Sequence, residues 1–259
     1  MKNNKLVIVA GAGGEIGKEF CKKIVDQKID CLAIVRNKRV EIESPFFRET
    51  QCELTDMESV IRSFISIDFK KYREIIFLHT IGSDKFDPRG YPYIEPLETI
   101  PPEIYNSNVN SFKYLLRFCL DWVGGMNREK VETRLKIAIV AGVPDKYTPF
   151  VIEPFCEAKF ILRQYIQSCI SRHPDWISGL SINITSTITQ SALSVRPFAD
   201  TTFWLQPKEV VDQSFRYLIS RSKKYKEIDI IKNSPDFIPG YYESDKDLYD
   251  KWSKETGIQ

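Results

Sequence analysis

Histidine is scarce in this 259-residue chain: there are two, His79 and His173. Neither stands beside a second plausible ligand at the spacing a zinc site uses, so no metal centre is expected. An excess of one charge sign is also missing, with 37 Lys and Arg against 35 Asp and Glu. That balance provides no basic field for nucleic acid or an anionic membrane surface, and the expected ligand is small. The six cysteines (Cys21, Cys31, Cys52, Cys119, Cys156, Cys169) form no C-x-x-C pair and read as reduced core residues. No apolar run reaches the roughly 18 residues of a membrane span. Met1 to Ala12 has lysines before an apolar run, but the run is short and leads into glycines and Glu15, so it reads as a strand rather than a secretory leader. The expected location is cytoplasmic.

What is present is ordinary globular material: 42% hydrophobic and 28% charged residues, enough apolar content to fold. The length suits one core, and residues 1–259 are read as a single α/β domain with a tail, 233–259, packed on the domain or on a neighbouring subunit. Leu6 to Ala10 is a continuous apolar run, as expected of a strand covered on both faces. Ile16, Phe20, Ile24 and Val25 then recur at helical spacing, and Cys31 to Val35 is a second buried strand. The alternation continues with a strand at Arg48–Leu54, a helix capped by Thr55 or Asp56 and running to about Ile67, and a strand at Glu74–Thr80. Ile81 to Pro102 carries five prolines and reads as a long loop bordering a ligand site. Beyond it the pattern predicts a helix over Glu103–Trp122 ending in a polar turn at Gly124–Gly125. A strand at Leu135–Ala141, a helix at Pro154–Ser171 and a strand at Ile177–Ile184 come next. After a Ser/Thr-rich irregular stretch follow a helix from Pro207, a strand at Glu227–Ile231 and a charged, aromatic tail. Strands alternating with helices in this way imply a doubly wound parallel sheet of Rossmann type, with ligands at the carboxyl ends of the strands.

Between the first strand and the first helix lies Gly11-Ala12-Gly13-Gly14-Glu15-Ile16-Gly17. Glycine permits the tight turn and lets a pyrophosphate approach the backbone, while the helix N-terminus presents unpaired N–H groups. NAD-binding chains often end the second strand with a carboxylate for the ribose hydroxyls. This one ends it Val35-Arg36-Asn37-Lys38-Arg39. A guanidinium pairs with a 2′-phosphate, so Arg36, helped by Arg39 or Lys38, favours NADP(H) over NAD(H).

In this order the motifs resemble the short-chain dehydrogenase/reductase family from Lys5 to about Ile231. Glu53-Leu54 stands where the family has an acid and an aliphatic residue at the adenine. Ile81-Gly82 closes its Asn-Asn-Ala-Gly element, with His79-Thr80 in place of the asparagines. Pro96-Leu97-Glu98 through Val109-Asn110 resembles the approach to its central helix, which makes Asn110 the match for the active-site asparagine. The resemblance implies cofactor contacts at Gly11, Gly13, Gly14, Glu15, Ile16, Gly17, Glu53, Leu54, Gly82 and Lys159. It also implies a homo-oligomer formed through the helices that carry Asn110 and Lys159.

The departures fall on the chemistry. The family's Y-x-x-x-K is Phe155-Cys156-Glu157-Ala158-Lys159, and the expected serine is Gly142. Glu15 replaces a glycine of the loop. A carbonyl oxygen that receives hydride at its carbon needs a proton, which phenylalanine cannot supply, and loss of a positioned acid forfeits about 10² to 10⁴ in rate. Asn110 and Lys159 are then remnants of the catalytic set, with Lys159 still able to hold the nicotinamide ribose. The leading reading is an NADP(H)-binding protein that is noncatalytic or chemically altered. The alternatives are an active oxidoreductase on a small apolar carbonyl or alcohol, drawing its acid from Tyr147, Tyr91, Tyr93 or His79, and a glycine loop that binds no nucleotide.

Overall fold

The computed structural model describes residues 4–65, 67–83, 100–130, 132–222, 224–235 and 240–257. Their framework is one seven-stranded parallel sheet. The strands are β1 (Lys5–Ala10), β2 (Asp30–Val35), β3 (Phe47–Gln51), β4 (Glu74–His79), β5 (Arg134–Gly142), β6 (Ile177–Ile184) and β7 (Tyr225–Ile230). Their spatial order is β3-β2-β1-β4-β5-β6-β7. The chain winds outward from β1 in one direction to β3, then restarts at β4 on the other side, so the carboxyl ends of β1 and β4 flank the crevice at which the winding reverses.

The alternating pleat explains why the central strands carry apolar residues on both faces. Leu6, Ile8, Ile75, Phe77, Ile137 and Ile139 face α2 (Met57–Phe64), α4 (Ser111–Arg128) and α5 (Glu153–Arg172). Val7, Val9, Ile76, Leu78, Ala138 and Val140 face α1 (Glu15–Asp26) and α7 (Pro207–Ile219). Local chemistry sets several helix starts: Asp56 accepts from the Glu58 N–H at 2.9 Å, and α7 opens with Pro207 and a capping box between Gln206 and Glu209.

Three expectations need correction. The turn expected at Gly124–Gly125 is instead helix, since α4 continues to Arg128; burial of Val123 and Met126 on the sheet outweighs the roughly 1 kcal/mol each glycine costs a helix. The first edge strand stops at Gln51 rather than Leu54. The Ser/Thr-rich stretch contains a short helix, α6 (Gln190–Val195), capped by Thr189, which accepts from the Ala192 N–H at 3.1 Å. Preceding α4 are a short α3 (Pro102–Tyr105) and a π-helical stretch, Asn106–Asn110. The tail forms α8 (Asp245–Thr256), which packs Leu248 and Trp252 on Val151, Ile152 and Cys156 of this same chain. Most of the Pro-rich loop, 84–99, lies outside the described residues, and Tyr91 and Tyr93 with it. No helix among the described residues is long and apolar enough to cross a membrane.

Candidate functional site

The glycine loop is shaped by contacts that leave no room for side chains. Gly11 has φ +83°, and a Cβ there would lie 2.8 Å from Ile81 Cγ1 and 2.9 Å from Thr80 Oγ1. At Gly13 it would stand 2.8 Å from the Lys38 carbonyl oxygen, and at Gly17 it would overlap the Gly11 carbonyl oxygen and approach Ala12 Cα to 2.9 Å. Gly14, the N-cap of α1, is different: its Cβ would meet only Gly11 O, at 3.4 Å, and otherwise open space. The loop thus brings α1 hard against β1 while leaving the N-terminus of the helix open.

That opening leads into a cleft of about 750 Å³ at the carboxyl ends of β1, β2 and β4. Gly11, Gly13, Gly14, Arg36, Lys38, Glu53, Leu54 and Gly82 line it. Arg39 is exposed and does not. Arg36 is held through its backbone, its carbonyl accepting from Gln51 Nε2 at 2.9 Å, which leaves the guanidinium at the mouth. The Glu53 carboxylate turns into its own loop and accepts from the Thr55 N–H at 3.1 Å and the Thr55 hydroxyl at 2.7 Å. Glu15 and Lys38 both reach across to α6: Glu15 Oε1 accepts from the Gln190 N–H at 3.0 Å, and Lys38 Nζ donates to Gln190 Oε1 at 3.2 Å. Glu15 is therefore part of a strap across the cleft.

Deeper in, the cleft joins a chamber of about 270 Å³ lined by Gly14, Glu15, Ile16, Gly17, Gly142, Asp145, Phe155, Lys159, Arg196 and Trp252, among others. Lys159 is buried; its ammonium donates to the Ile81 carbonyl at 2.7 Å and lies 5.1 Å from the Phe155 ring centroid. The spacing of 155 and 159 on one face of α5 holds, and the ring edge faces Gly82, whose Cβ would lie 3.5 Å from Phe155 Cε2. At Gly142 the space of a serine side chain is taken. Asp145, on the turn after β5, accepts from the Gly142 N–H at 2.6 Å, and its Oδ1 lies 2.6 Å from where a Cβ at Gly142 would be. Arg163, one turn beyond Lys159, stands 3.6 Å from the same carboxylate and donates to Asn183 Oδ1 at 2.9 Å. Asn183 in turn donates to Asp229 at 2.8 Å, where Lys146 also pairs at 2.7 Å.

The remaining sequence-derived candidates separate. Asn110 does not enter the cleft; its amide pairs with Asn106 Oδ1 at 2.6 Å on the outer side of the π-helical stretch. Asn108, two residues earlier, is fully buried and donates to Ser83 O at 2.9 Å and Ile104 O at 3.0 Å, beside Gly82. The extra residue in the π turn rotates the face of the helix, and spacing alone does not show this. His79 is fully buried behind the cleft, with Nε2 3.0 Å from Ser111 Oγ and Nδ1 lacking a hydrogen-bond partner. Burial, reinforced by the Lys159 charge, holds its pKa well below the usual imidazole value, so a neutral ring faces Ser111. Tyr147 is 47% exposed and stacks on Tyr242 at 6.4 Å, away from the chamber.

Sequence reasoning missed Asn108, Asp145, Arg163 and the clamp at the chamber's far wall. There the Arg196 guanidinium lies between Trp204 at 4.3 Å and Trp252 at 4.4 Å, and pairs with Glu255 of α8 at 3.2 Å and Ser186 Oγ at 2.9 Å. The Pro-Asp-Lys turn that begins two residues past Gly142 was the one available signal for Asp145; the clamp ties Arg196 to Trp252 and Glu255 of the distant α8 and had none.

The crevice at the winding reversal and the glycine-built helix start define a Rossmann-type architecture, and the fold is that of the short-chain dehydrogenases/reductases. It matches the solved 3-ketoacyl-(acyl-carrier-protein) reductase of Brucella melitensis complexed with NADH at TM-score 0.68 and 15% identity, over 88% of this chain and 98% of that one. The aldohexose dehydrogenase of Thermoplasma acidophilum matches at TM-score 0.68 and 16% identity, over 91% and 97%. The closed form of a serine dehydrogenase complexed with NADP+ matches at TM-score 0.69 and 12% identity, over 90% and 98%. In sequence, an 84-residue stretch is 37% identical to Post-translational flagellin modification protein A of Campylobacter coli, covering 29% of this chain and 32% of that protein. The match thus spans about a third of the curated relative's length. No family model matches the sequence.

Proposed function

We propose that this chain binds NADP(H) in the cleft after β1 and does not carry out ordinary carbonyl reduction. The carrying observation is the pairing of a glycine turn that leaves the α1 N-terminus open with a chamber whose proton-donor positions are Phe155 and Gly142, the latter backed by a buried carboxylate. Gly13 and Gly17 sit where side chains do not fit, and Gly14 leaves the α1 N-terminus open to a diphosphate. Arg36 and Lys38 would hold a 2′-phosphate; the Lys159 ammonium, fixed by Ile81 O, would hold the nicotinamide ribose. Bound nicotinamide supplies or accepts hydride. The chain's own groups would orient it, but Phe155 offers no exchangeable proton and the Asp145 carboxylate is held by Arg163 and the Gly142 N–H. The assignment to the short-chain dehydrogenase/reductase family, as a divergent member, rests on the same cleft and on the shared fold. Asn108 takes the asparagine's place in this reading, since it is the one buried against Ser83.

Fluorescence titration with NADPH and NADH, alongside NADPH oxidation with a broad carbonyl panel, tests the proposal. Saturable binding tighter for NADPH with no turnover is the expected result. Rapid turnover would overturn the noncatalytic reading, and absence of binding to either dinucleotide would overturn the whole.

A further inference from the structure

At the opposite end of the sheet, where the strands begin, lies a second cleft of about 620 Å³ lined by Asn4, Lys5, Arg73, Glu74, Lys130, Glu132, Arg134 and Arg221. Five cations face it against two carboxylates, although the whole chain carries a formal charge of only +2. The concentration is produced by the strand register, because Lys5 on β1 pairs with Glu74 on β4, and Glu74 with Arg134 on β5, while Arg73 and Asn4 adjoin them.

The nearby negative groups are already engaged. Glu74 forms an ion pair with Lys5 at 3.3 Å. The C-terminal carbonyls of α7, the negative end of that helix, accept from Lys5 at Ile219 (2.7 Å) and from Lys136 at Tyr217 and Leu218 (3.0 Å each) and at Ser220. Arg73, Lys130, Arg134 and Arg221 have no ion pair among the described residues, and Glu132 is the one carboxylate left to face them. A surface kept only for solubility intersperses charges of both signs, whereas this one gathers unpaired guanidinium forks in a concavity.

We infer that this cleft binds a small anion bearing two or more phosphoryl groups. Guanidinium forks match phosphate oxygens in bidentate geometry, and one phosphate would leave most of the charge unanswered. The concave shape and Glu132 disfavour an extended polyanion such as nucleic acid.

The test titrates the full chain with inorganic tripolyphosphate by calorimetry at low salt. Saturable one-to-one binding is expected, weakened about tenfold for each guanidinium removed in Arg73→Gln, Arg134→Gln and Arg221→Gln. All three side chains are exposed, so unfolding midpoints should be unchanged, and the single variants serve should the triple one lose its fold. Arg36→Gln with Lys38→Gln, at the other cleft, should leave tripolyphosphate binding intact. Failure of the wild-type chain to bind, or equal binding by the triple variant, would overturn the inference without touching NADPH binding at the other cleft; loss of binding on changing Arg36 and Lys38 would overturn it by placing the polyphosphate in that cleft.

Discussion

Three alanine substitutions in the glycine loop should separate its packing of α1 from the dinucleotide binding proposed for it. At Gly17 the added methyl overlaps the Gly11 carbonyl and stands 2.9 Å from Ala12 Cα, both backbone atoms of the turn that leaves β1. Neither can yield as a flexible side chain would, so α1 must shift from β1, at a cost of about 1–3 kcal/mol or somewhat more for an overpacked site. In a domain of this size that lowers Tm by roughly 2–4 °C per kcal/mol, so a fall on the order of 5–10 °C is expected. At Gly14, with φ −81° and its nearest neighbour at 3.4 Å, alanine fits the folded backbone. Its stability should stay within about 1 kcal/mol of wild type, or rise slightly through the restricted unfolded chain. Its methyl enters the open cleft, however, and should weaken NADPH binding by an order of magnitude. Gly13→Ala lies between, since its methyl meets the Lys38 carbonyl at 2.8 Å on a connecting loop that has some freedom to move. Thermal unfolding and NADPH fluorescence titration on the three proteins decide the matter. A Gly17→Ala protein melting with wild type, or a Gly14→Ala protein binding NADPH unchanged, would refute the division of labour.

Other outcomes follow from the same geometry. Arg36→Ala should weaken NADPH about tenfold or more and leave NADH unchanged, as titration with the two dinucleotides would report. Phe155→Tyr should fold as wild type, because the side chain borders the chamber, and should raise NADPH turnover on reducible carbonyls above background; adding Gly142→Ser should lower Tm by several degrees because Asp145 occupies that space. For His79 the folded pKa is depressed, so the unfolded chain binds the proton first as pH falls below about 6.5. Wild-type stability should therefore drop by up to ~1.4 kcal/mol per pH unit below that point, and urea denaturation of His79→Asn should show a shallower slope. Glu255→Gln leaves the buried Arg196 charge without its carboxylate and should make α8 the first segment cut in limited proteolysis, at a cost of about 3–5 kcal/mol at most.

Much of the architecture was legible because parallel strands covered on both faces leave a direct trace, an apolar run such as Leu6–Ala10 followed by glycines and an amphipathic helix. The glycine loop could be located for the same reason, since each glycine answers a local demand of turn or close approach. Gly124–Gly125 misled because propensity is worth about 1 kcal/mol per residue and packing of α4 on the sheet is worth more. Asn110 misled because register through a π turn is set by hydrogen bonding that no periodicity records.

The residue order by itself determined the alternation of strands and helices that winds the sheet, the place of the glycine turn, and the absence of a side-chain hydroxyl at positions 142 and 155, because those depend on local pattern and on atoms that are present or absent. Only the tertiary structure decided that Asn108 rather than Asn110 is turned inward, that Asp145 fills the space behind Gly142, and that α8 closes the chamber through Arg196 and Glu255. Each of these joins groups brought within a few ångströms by packing of separate elements, and distances across a sheet are fixed by the whole fold.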